Sequence, residues 1–295
     1  MAARADRRAV RIAVASGKGG TGKTMVALNL AAMFNEPVQL ADCDVEEPNI
    51  NLFLRYERLD STPVSMMVPE VQTNLCDGCG ACSDICRFKG IVSLGPATSP
   101  LLFPELCHGC GGCTLVCPTG AISERPQQIG TISTGLSGSI HFIEGRLEVG
   151  GALVPPVIHA VREHLSDQIP AILDAPPGTS CPVVATLHES DYVVLVTDPT
   201  PFGLHDLKLA VAMVRKLNIP CGVVVNRAGE DQVGLYHYCQ IEGLPILMSL
   251  PDDRQIAEIV SRGHLVSQCL PEYGLMFAEL ADRLREETKR IGGSI

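Results

Sequence analysis

The chain has 295 residues, a formal net charge of −10, 46% hydrophobic residues and 13 cysteines, enough to build one large α/β core and a small extra domain. The acidic balance argues against broad nucleic-acid binding and against an anionic membrane surface, both of which call for clustered lysine and arginine. No apolar run approaches the ~18 residues of a membrane span, and residues 1–11 carry four arginines without a signal peptide's apolar stretch, so the expectation is a cytoplasmic protein.

Residues 10–14 form an apolar, β-branched run and residues 25–34 read as a helix. Between them Gly17-Lys18-Gly19-Gly20-Thr21-Gly22-Lys23-Thr24 fits G-x-x-x-x-G-K-S/T, the pattern of a phosphate loop. Its physics is specific. Glycines let backbone N–H groups turn inward onto phosphate oxygens, and the helix N-terminus adds partial positive charge. Lys23 reaches the β- and γ-phosphates, and Thr24 ligates Mg²⁺. The expected cofactors are therefore ATP and Mg²⁺. The next strand, residues 38–41, ends in Asp42-Cys43-Asp44, an acidic pair at the carboxyl end of a strand, where open α/β sheets place their ligands. Cys43 between them reads as a small buried side chain.

From about residue 67 to 124 the composition changes. Cys76, Cys79, Cys82 and Cys86 have the spacing C-x-x-C-x-x-C-x-x-x-C, and Cys107, Cys110, Cys113 and Cys117 repeat it at a constant offset of 31 residues. This is the pattern of a bacterial two-cluster ferredoxin, in which three closely spaced thiolates surround one cubane and the fourth cysteine of each run reaches the other. Cys76, Cys79, Cys82 and Cys117 are assigned to one [4Fe–4S] cluster, and Cys107, Cys110, Cys113 and Cys86 to a second. Paired C-x-x-C is also a zinc pattern, but zinc takes two separated pairs per site rather than triplets with a distant fourth ligand. Pro118 follows the second run, whereas Arg87 stands where the first would have proline, and a cation there would raise a cluster's potential. Gly90-Ile91 and Gly120-Ala121-Ile122 read as short hairpin entries after each run.

Residues 129–132 and 139–147 suggest hairpin strands, and a helix starts near residue 154 with prolines in its first turn. The strand at 170–173 leads into Asp174-Ala175-Pro176-Pro177-Gly178. Cys181 follows, and a buried free thiol is the favoured reading. Alternating β and α segments come next: strands at 192–197, 221–225 and 244–250, helices at 203–217 and from Asp253, which suits an N-cap. A charged amphipathic helix at 276–291 closes the chain.

Lys18 directly after the first glycine, giving K-G-G-T-G-K-T, resembles the deviant phosphate loop of the MinD/ParA/nitrogenase-iron-protein class of ATPases. With the D-x-D after the strand at 38–41, which resembles the first switch segment, the D-x-P-P-G after the strand at 170–173, which resembles the second, and V-V-V-N-R ending in Asn226-Arg227, the resemblance covers nearly the whole chain. It implies an α/β, doubly wound, mostly parallel P-loop sheet formed by residues 1–66 and 125–295. Residues 67–124 would then be an inserted, small α+β ferredoxin domain, as in MinD-like relatives of the nitrogenase iron protein and of Mrp-type cluster carriers. It further implies that Lys18 crosses the interface of an ATP-bound homodimer, that Asp44 activates the attacking water, and that Asp42 and Asp174 support Mg²⁺. Gly178 would approach the γ-phosphate, Asn226 and Arg227 would meet the adenine, and Asp253 would lie on its other face. In the nitrogenase iron protein a cysteine after the second switch segment, the equivalent of D-x-P-P-G, binds a shared cluster, so a ligand role is the weaker reading of Cys181, whose spacing differs.

Because the insertion follows the first switch segment, nucleotide state would be felt by the redox module. The expected function is an ATP-hydrolysing electron-transfer protein serving a redox or Fe–S acceptor protein. A cluster carrier is the competing class, although carriers place a C-x-x-C near the C-terminus and none follows Cys117 here. A MinD- or ParA-like positioning protein would need a membrane helix or a DNA-binding surface.

Overall fold

The computed structural model describes residues 8–96, 98–229 and 233–290. The first seven residues, with their two arginines, and Ile291 of the expected last helix lie outside them. The chain divides into one unit made of Met1–Ser61, Ile132–Arg146 and Ile158–Ile295 and a second made of Thr62–Thr131 and Leu147–Val157.

The first unit opens with β1 (Arg11–Ala15), α1 (Lys23–Ala32) and β2 (Val38–Asp42), and the chain leaves it along β3 (Glu57–Val71). The second unit holds α2 (Ala81–Ile85), β4 (Ile91–Val92), β5 (Leu101–Leu102) and α3 (Gly112–Val116). The chain returns along β6 (Ile122–Ser137) and β7 (Ile140–Leu147). Then follow α4 (Val154–Glu163), β8 (Ala171–Asp174), α5 (Cys181–Leu187), β9 (Tyr192–Thr197), α6 (Pro201–Lys216) and β10 (Cys221–Ala228). The chain ends with α7 (Val233–Ile241), β11 (Ile246–Pro251), α8 (Arg254–Ser261), α9 (Val266–Cys269) and α10 (Pro271–Arg290).

The strands are ordered β11-β10-β9-β1-β8-β2-β7-β6-β3 in one sheet. β1 pairs in parallel with β8 and β9, β2 with β7 and β8, and β10 with β9 and β11. Parallel neighbours need crossovers, here mostly helical, which bury the strands on both faces. Every residue of β1, β2, β8 and β9 is accordingly buried. On one face Ile12, Leu40, Phe142 and Ile172 pack with Leu30 of α1 and Phe277 of α10. Register then positions the site. Val14 and Asp42 both lie opposite Asp174, so the carboxyl ends of β2 and β8 finish level and that of β1 one residue beyond, while Asp42 faces Glu144 within β7.

The structure departs from the sequence reading in several elements. β3 was not anticipated over its 15 residues, because its first half is exposed and charged and contains Pro63, which removes a ladder donor; pairing beside β6 makes it a strand. α7 was missed for the opposite reason, a weak stripe in which only Leu235 and Cys239 are buried. The two hairpin strands are longer than expected and are joined by Gly138-Ser139, with Gly138 at φ 60°. The favoured reading of Cys181 as buried is corrected. It is the first residue of α5, after the proline-glycine turn, and its side chain is exposed.

Candidate functional site

β1 delivers the chain to Ser16 and α1 takes it up at Lys23. The loop between is anchored at both ends. The Ser16 hydroxyl donates to the Lys18 carbonyl at 2.8 Å, and the Ser16 carbonyl accepts the N–H of Gly178 at 2.9 Å, tying the loop to the turn after β8. Gly22 at the N-cap of α1 has φ 91°, in the left-handed region, and a side chain there would run into the Asn226 amide. Asn226, 5% exposed, donates from Nδ2 to the Thr21 carbonyl at 2.8 Å, and the Arg227 guanidinium donates to the Gly20 carbonyl at 3.2 Å. The end of β10 thus braces the phosphate loop, a role for Asn226 and Arg227 that the sequence did not disclose.

Lys23 is 7% exposed, with Nζ 2.9 Å from Asp174 Oδ1 and 4.0 Å from Asp44 Oδ2. The Thr24 hydroxyl donates to Asp174 Oδ2 at 2.6 Å. Asp42, fully buried, accepts the N–H groups of Asp44 at 3.2 Å, Asn49 at 3.0 Å and Ile50 at 3.1 Å, and so shapes the segment after β2. Burial and the Asp174 carboxylate push Asp42 up to about 8 despite those donors. Burial pushes Asp44 up to about 6, with Lys23 opposing and Asp174 adding to the shift. Burial works to lower the Lys23 ammonium, but Asp174, then Asp44 and Asp42, outweigh it and hold it above its ordinary value. Three carboxyl groups crowd one ammonium, and the upward shifts of Asp42 and Asp44 reflect a crowding that a divalent cation would relieve; with the Thr24 hydroxyl they are oxygen donors of the kind Mg²⁺ takes. Cys43 is fully buried as expected, its thiol held protonated by burial and by Asp42.

Lys18 lies 2.9 Å from Asp198 Oδ2 of its own chain. Asp198, at the end of β9, also accepts from the Thr200 hydroxyl, the N-cap of α6. It was missed by the sequence reading, though an aspartate closing a buried strand is the same signal that marked Asp42 and Asp174. Asp253 caps α8, accepting from the Gln255 N–H at 2.8 Å and the Tyr273 hydroxyl at 2.7 Å. Both of its oxygens are thereby engaged.

In the second unit the 31-residue repeat extends to the backbone. α2 and α3 are repeat equivalents, as are the left-handed residues Gly78 and Gly109, Gly80 and Gly111, and Lys89 and Gly120. The Phe103 N–H donates to Gly90 O at 2.8 Å, and the equivalent Gln72 N–H to Ala121 O at 2.7 Å. Cys76, Cys79, Cys82 and Cys117 line one cavity, together with Asp77, Ser93 and Thr119. Cys86 and Cys113 join Cys82 and Cys117 around a small apolar cluster with Ile91 and Ile122. The fourth cysteines sit in matching cradles. Burial works against the Cys86 thiolate, but N–H groups of Ile91, Phe88, Gly90 and Lys89 outweigh it and lower the thiol. Burial is likewise outweighed at Cys117, by the Thr119 side chain and N–H groups of Ala121, Thr119 and Ile122. Cys82 and Cys113 are both raised, by burial first. Among the described residues no three His, Cys, Asp or Glu side chains are arranged to hold a metal ion.

The brace on the phosphate loop is testable without any ligand. Gly22→Ala adds strain at φ 91° and a collision with Asn226, and is expected to destabilise the protein by about 1–3 kcal/mol in chemical denaturation. Asn226→Ala in the same chain is expected to recover part of that loss; strictly additive effects would show that the two side chains do not meet.

Residues 12–266 match the model of the CobQ/CobB/MinD/ParA nucleotide binding domain. An uncharacterized Methanocaldococcus jannaschii protein is 29% identical over 283 residues, covering 94% of this chain and 97% of its own. An iron-sulfur cluster carrier protein of Pyrococcus horikoshii is 26% identical, covering 96% of this chain and 88% of its own. Among solved structures, the septum site-determining protein MinD of Pyrococcus horikoshii complexed with Mg-ADP superposes with a TM-score of 0.55 at 18% identity, over 96% of this chain and 98% of that one. The phosphate loop, the level carboxylates at the ends of β2 and β8 and the family match agree: the chain belongs to the CobQ/CobB/MinD/ParA family of P-loop ATPases.

Proposed function

We propose that this ATPase holds two [4Fe–4S] clusters in its cysteine-rich unit and couples nucleotide state to electron transfer to a protein partner. The observation that carries the reading is the cavity lined by Cys76, Cys79, Cys82 and Cys117, three ligands from one run and the fourth from the other. The N–H cradles at Cys86 and Cys117 fit thiolate sulfurs that must carry negative charge. Cys107, Cys110, Cys113 and Cys86 form the second set. When bound, the clusters supply one-electron storage.

On the nucleotide side, Lys23 would donate to the β- and γ-phosphates, and Thr24 and Asp174 would hold Mg²⁺ with Asp42 supporting its shell; the MinD structure similar in fold is complexed with Mg-ADP. Gly17, Gly19, Gly20, Thr21 and Gly22 present backbone N–H groups to phosphate. Asp44 orients the attacking water and accepts its proton. Lys18, released from Asp198, reaches the nucleotide of a second copy in an ATP-bound homodimer. Asn226 and Arg227 offer their remaining donors to the base, and Gly178 lets the turn after β8 close on the γ-phosphate. Asp253, with both oxygens engaged, contributes the capped α8 beside the base rather than a direct ligand.

The cluster-carrier reading is favoured by the similarity to the iron-sulfur cluster carrier protein of Pyrococcus horikoshii. The two readings separate experimentally. Electron transfer predicts at least one retained cluster with reversible reduction, whereas a carrier alone passes what it holds to an apo-ferredoxin. Two outcomes are expected. Asp44→Asn should lower kcat for ATP hydrolysis by about 10²–10⁴-fold with nucleotide affinity retained; undiminished kcat would remove Asp44 from catalysis. Anaerobically purified protein should hold about eight irons per chain and show a reduction potential that moves on adding ATP and Mg²⁺. Equal potentials with and without nucleotide would sever the coupling.

A further inference from the structure

The 31-residue repeat makes the two cysteine sets comparable position by position, and their backbones agree at the helices, the left-handed residues and the cradle N–H groups. Side chains break the equivalence at two places. At the second set, the Phe88 ring stacks on the His108 ring with centroids 3.5 Å apart and planes 17° apart. Phe88 lies two residues after Cys86, and His108 lies between Cys107 and Cys110. The stack therefore staples the segment that brings the fourth ligand to the segment that brings the other three. The equivalent positions at the first set are Thr119 and Asp77. There the Asp77 carboxylate accepts the Cys79 N–H at 3.1 Å within its own loop, and the Thr119 hydroxyl lies 3.7 Å from Cys117 Sγ. Among the described residues no hydrogen bond or ring contact joins Asp77 to Thr119.

A cubane bound by three ligands from one segment and one from another is lost when the two segments part. Resting on the two-cluster reading above, we infer that the sets are unequal. Cys86, Cys107, Cys110 and Cys113 hold a resident cluster, while Cys76, Cys79, Cys82 and Cys117 hold an exchangeable one that leaves for an acceptor protein's thiolates. The exchange replaces four Fe–S(Cys) bonds with four bonds to acceptor thiolates, and no atom changes oxidation state. The exchangeable cluster is cargo, and the stapled one stays as the electron carrier.

The test is iron release from the full chain, loaded anaerobically to about eight irons and challenged with a ferrous chelator. Two phases of equal amplitude are expected, with the fast one missing in Cys117→Ser and the slow one missing in Cys86→Ser. Phe88→Thr, which copies the first set's residue into the second, should speed the slow phase about two- to tenfold. The reciprocal pair Asp77→His with Thr119→Phe should slow the fast phase, and it carries the test if Phe88→Thr does not load. Release of all eight irons in one phase, or a slow phase unmoved by Phe88→Thr, overturns the inequality while leaving two clusters in place. A chain that takes up no iron overturns the two-cluster reading and this inference with it.

Discussion

The ion pair between Lys23 and Asp174 is the constraint on which the nucleotide half of the molecule depends. Both groups are buried, Lys23 at 7% and Asp174 at 0% exposure, so each is tolerable there only because the other is present. Holding that pair requires α1 to begin at one residue, β8 to end at another, and β1 between them to set the distance. The parallel register that places Asp42 and Val14 opposite Asp174 meets this requirement. Asp42 extends it by gathering the N–H groups of Asp44, Asn49 and Ile50, so the segment that leads toward β3 is shaped by the same carboxylate cluster. In the proposed nucleotide complex a Mg²⁺–phosphate group would compete for all of these contacts at once.

The cysteine-rich unit is governed by a different constraint, duplication. Two copies of one backbone pattern put left-handed residues, short helices and N–H cradles at matching places, and the last cysteine of the second run lines a cavity with the first three of the first. Covalently, β3 and β6 are the chain's routes out of and back into the ATPase unit. Between these repeated halves the chemistry differs where Phe88 and His108 replace the polar pair Thr119 and Asp77. Duplication followed by local divergence gives two cysteine sets one backbone architecture and different side-chain contacts.

Much of this was legible in the residues themselves. The phosphate loop and Asp174 were readable because glycine, lysine and acid at strand ends have few other uses at that spacing. The buried strands were readable because parallel pairing demands uninterrupted apolar runs such as Tyr192–Thr197. The cysteine runs announced their own repeat. Contacts made across long sequence distances were not legible. Nothing near Asn226 says that its amide will brace Thr21, more than two hundred residues away, nor that Asp198 will receive Lys18. β3 was hidden because its exposed, charged first half and Pro63 obey no alternating pattern; its partner strand, not its composition, makes it a strand. Cys181 was misread because an apolar neighbourhood in sequence, with Val183 and Val184 after it, does not say which side of a helix's first turn faces solvent.

The central claim is that Lys23, Asp42, Asp44 and Asp174 form one site for a nucleotide and its magnesium together. Calorimetric binding of ATP with and without Mg²⁺, in the wild type and in Asp174→Asn, addresses it most directly. Magnesium should tighten binding to the wild type by about two orders of magnitude, roughly 2.7 kcal/mol, and most of that gain should vanish in the variant. Equal affinities with and without the cation in the wild-type protein, or a magnesium effect untouched by Asp174→Asn, would contradict the account.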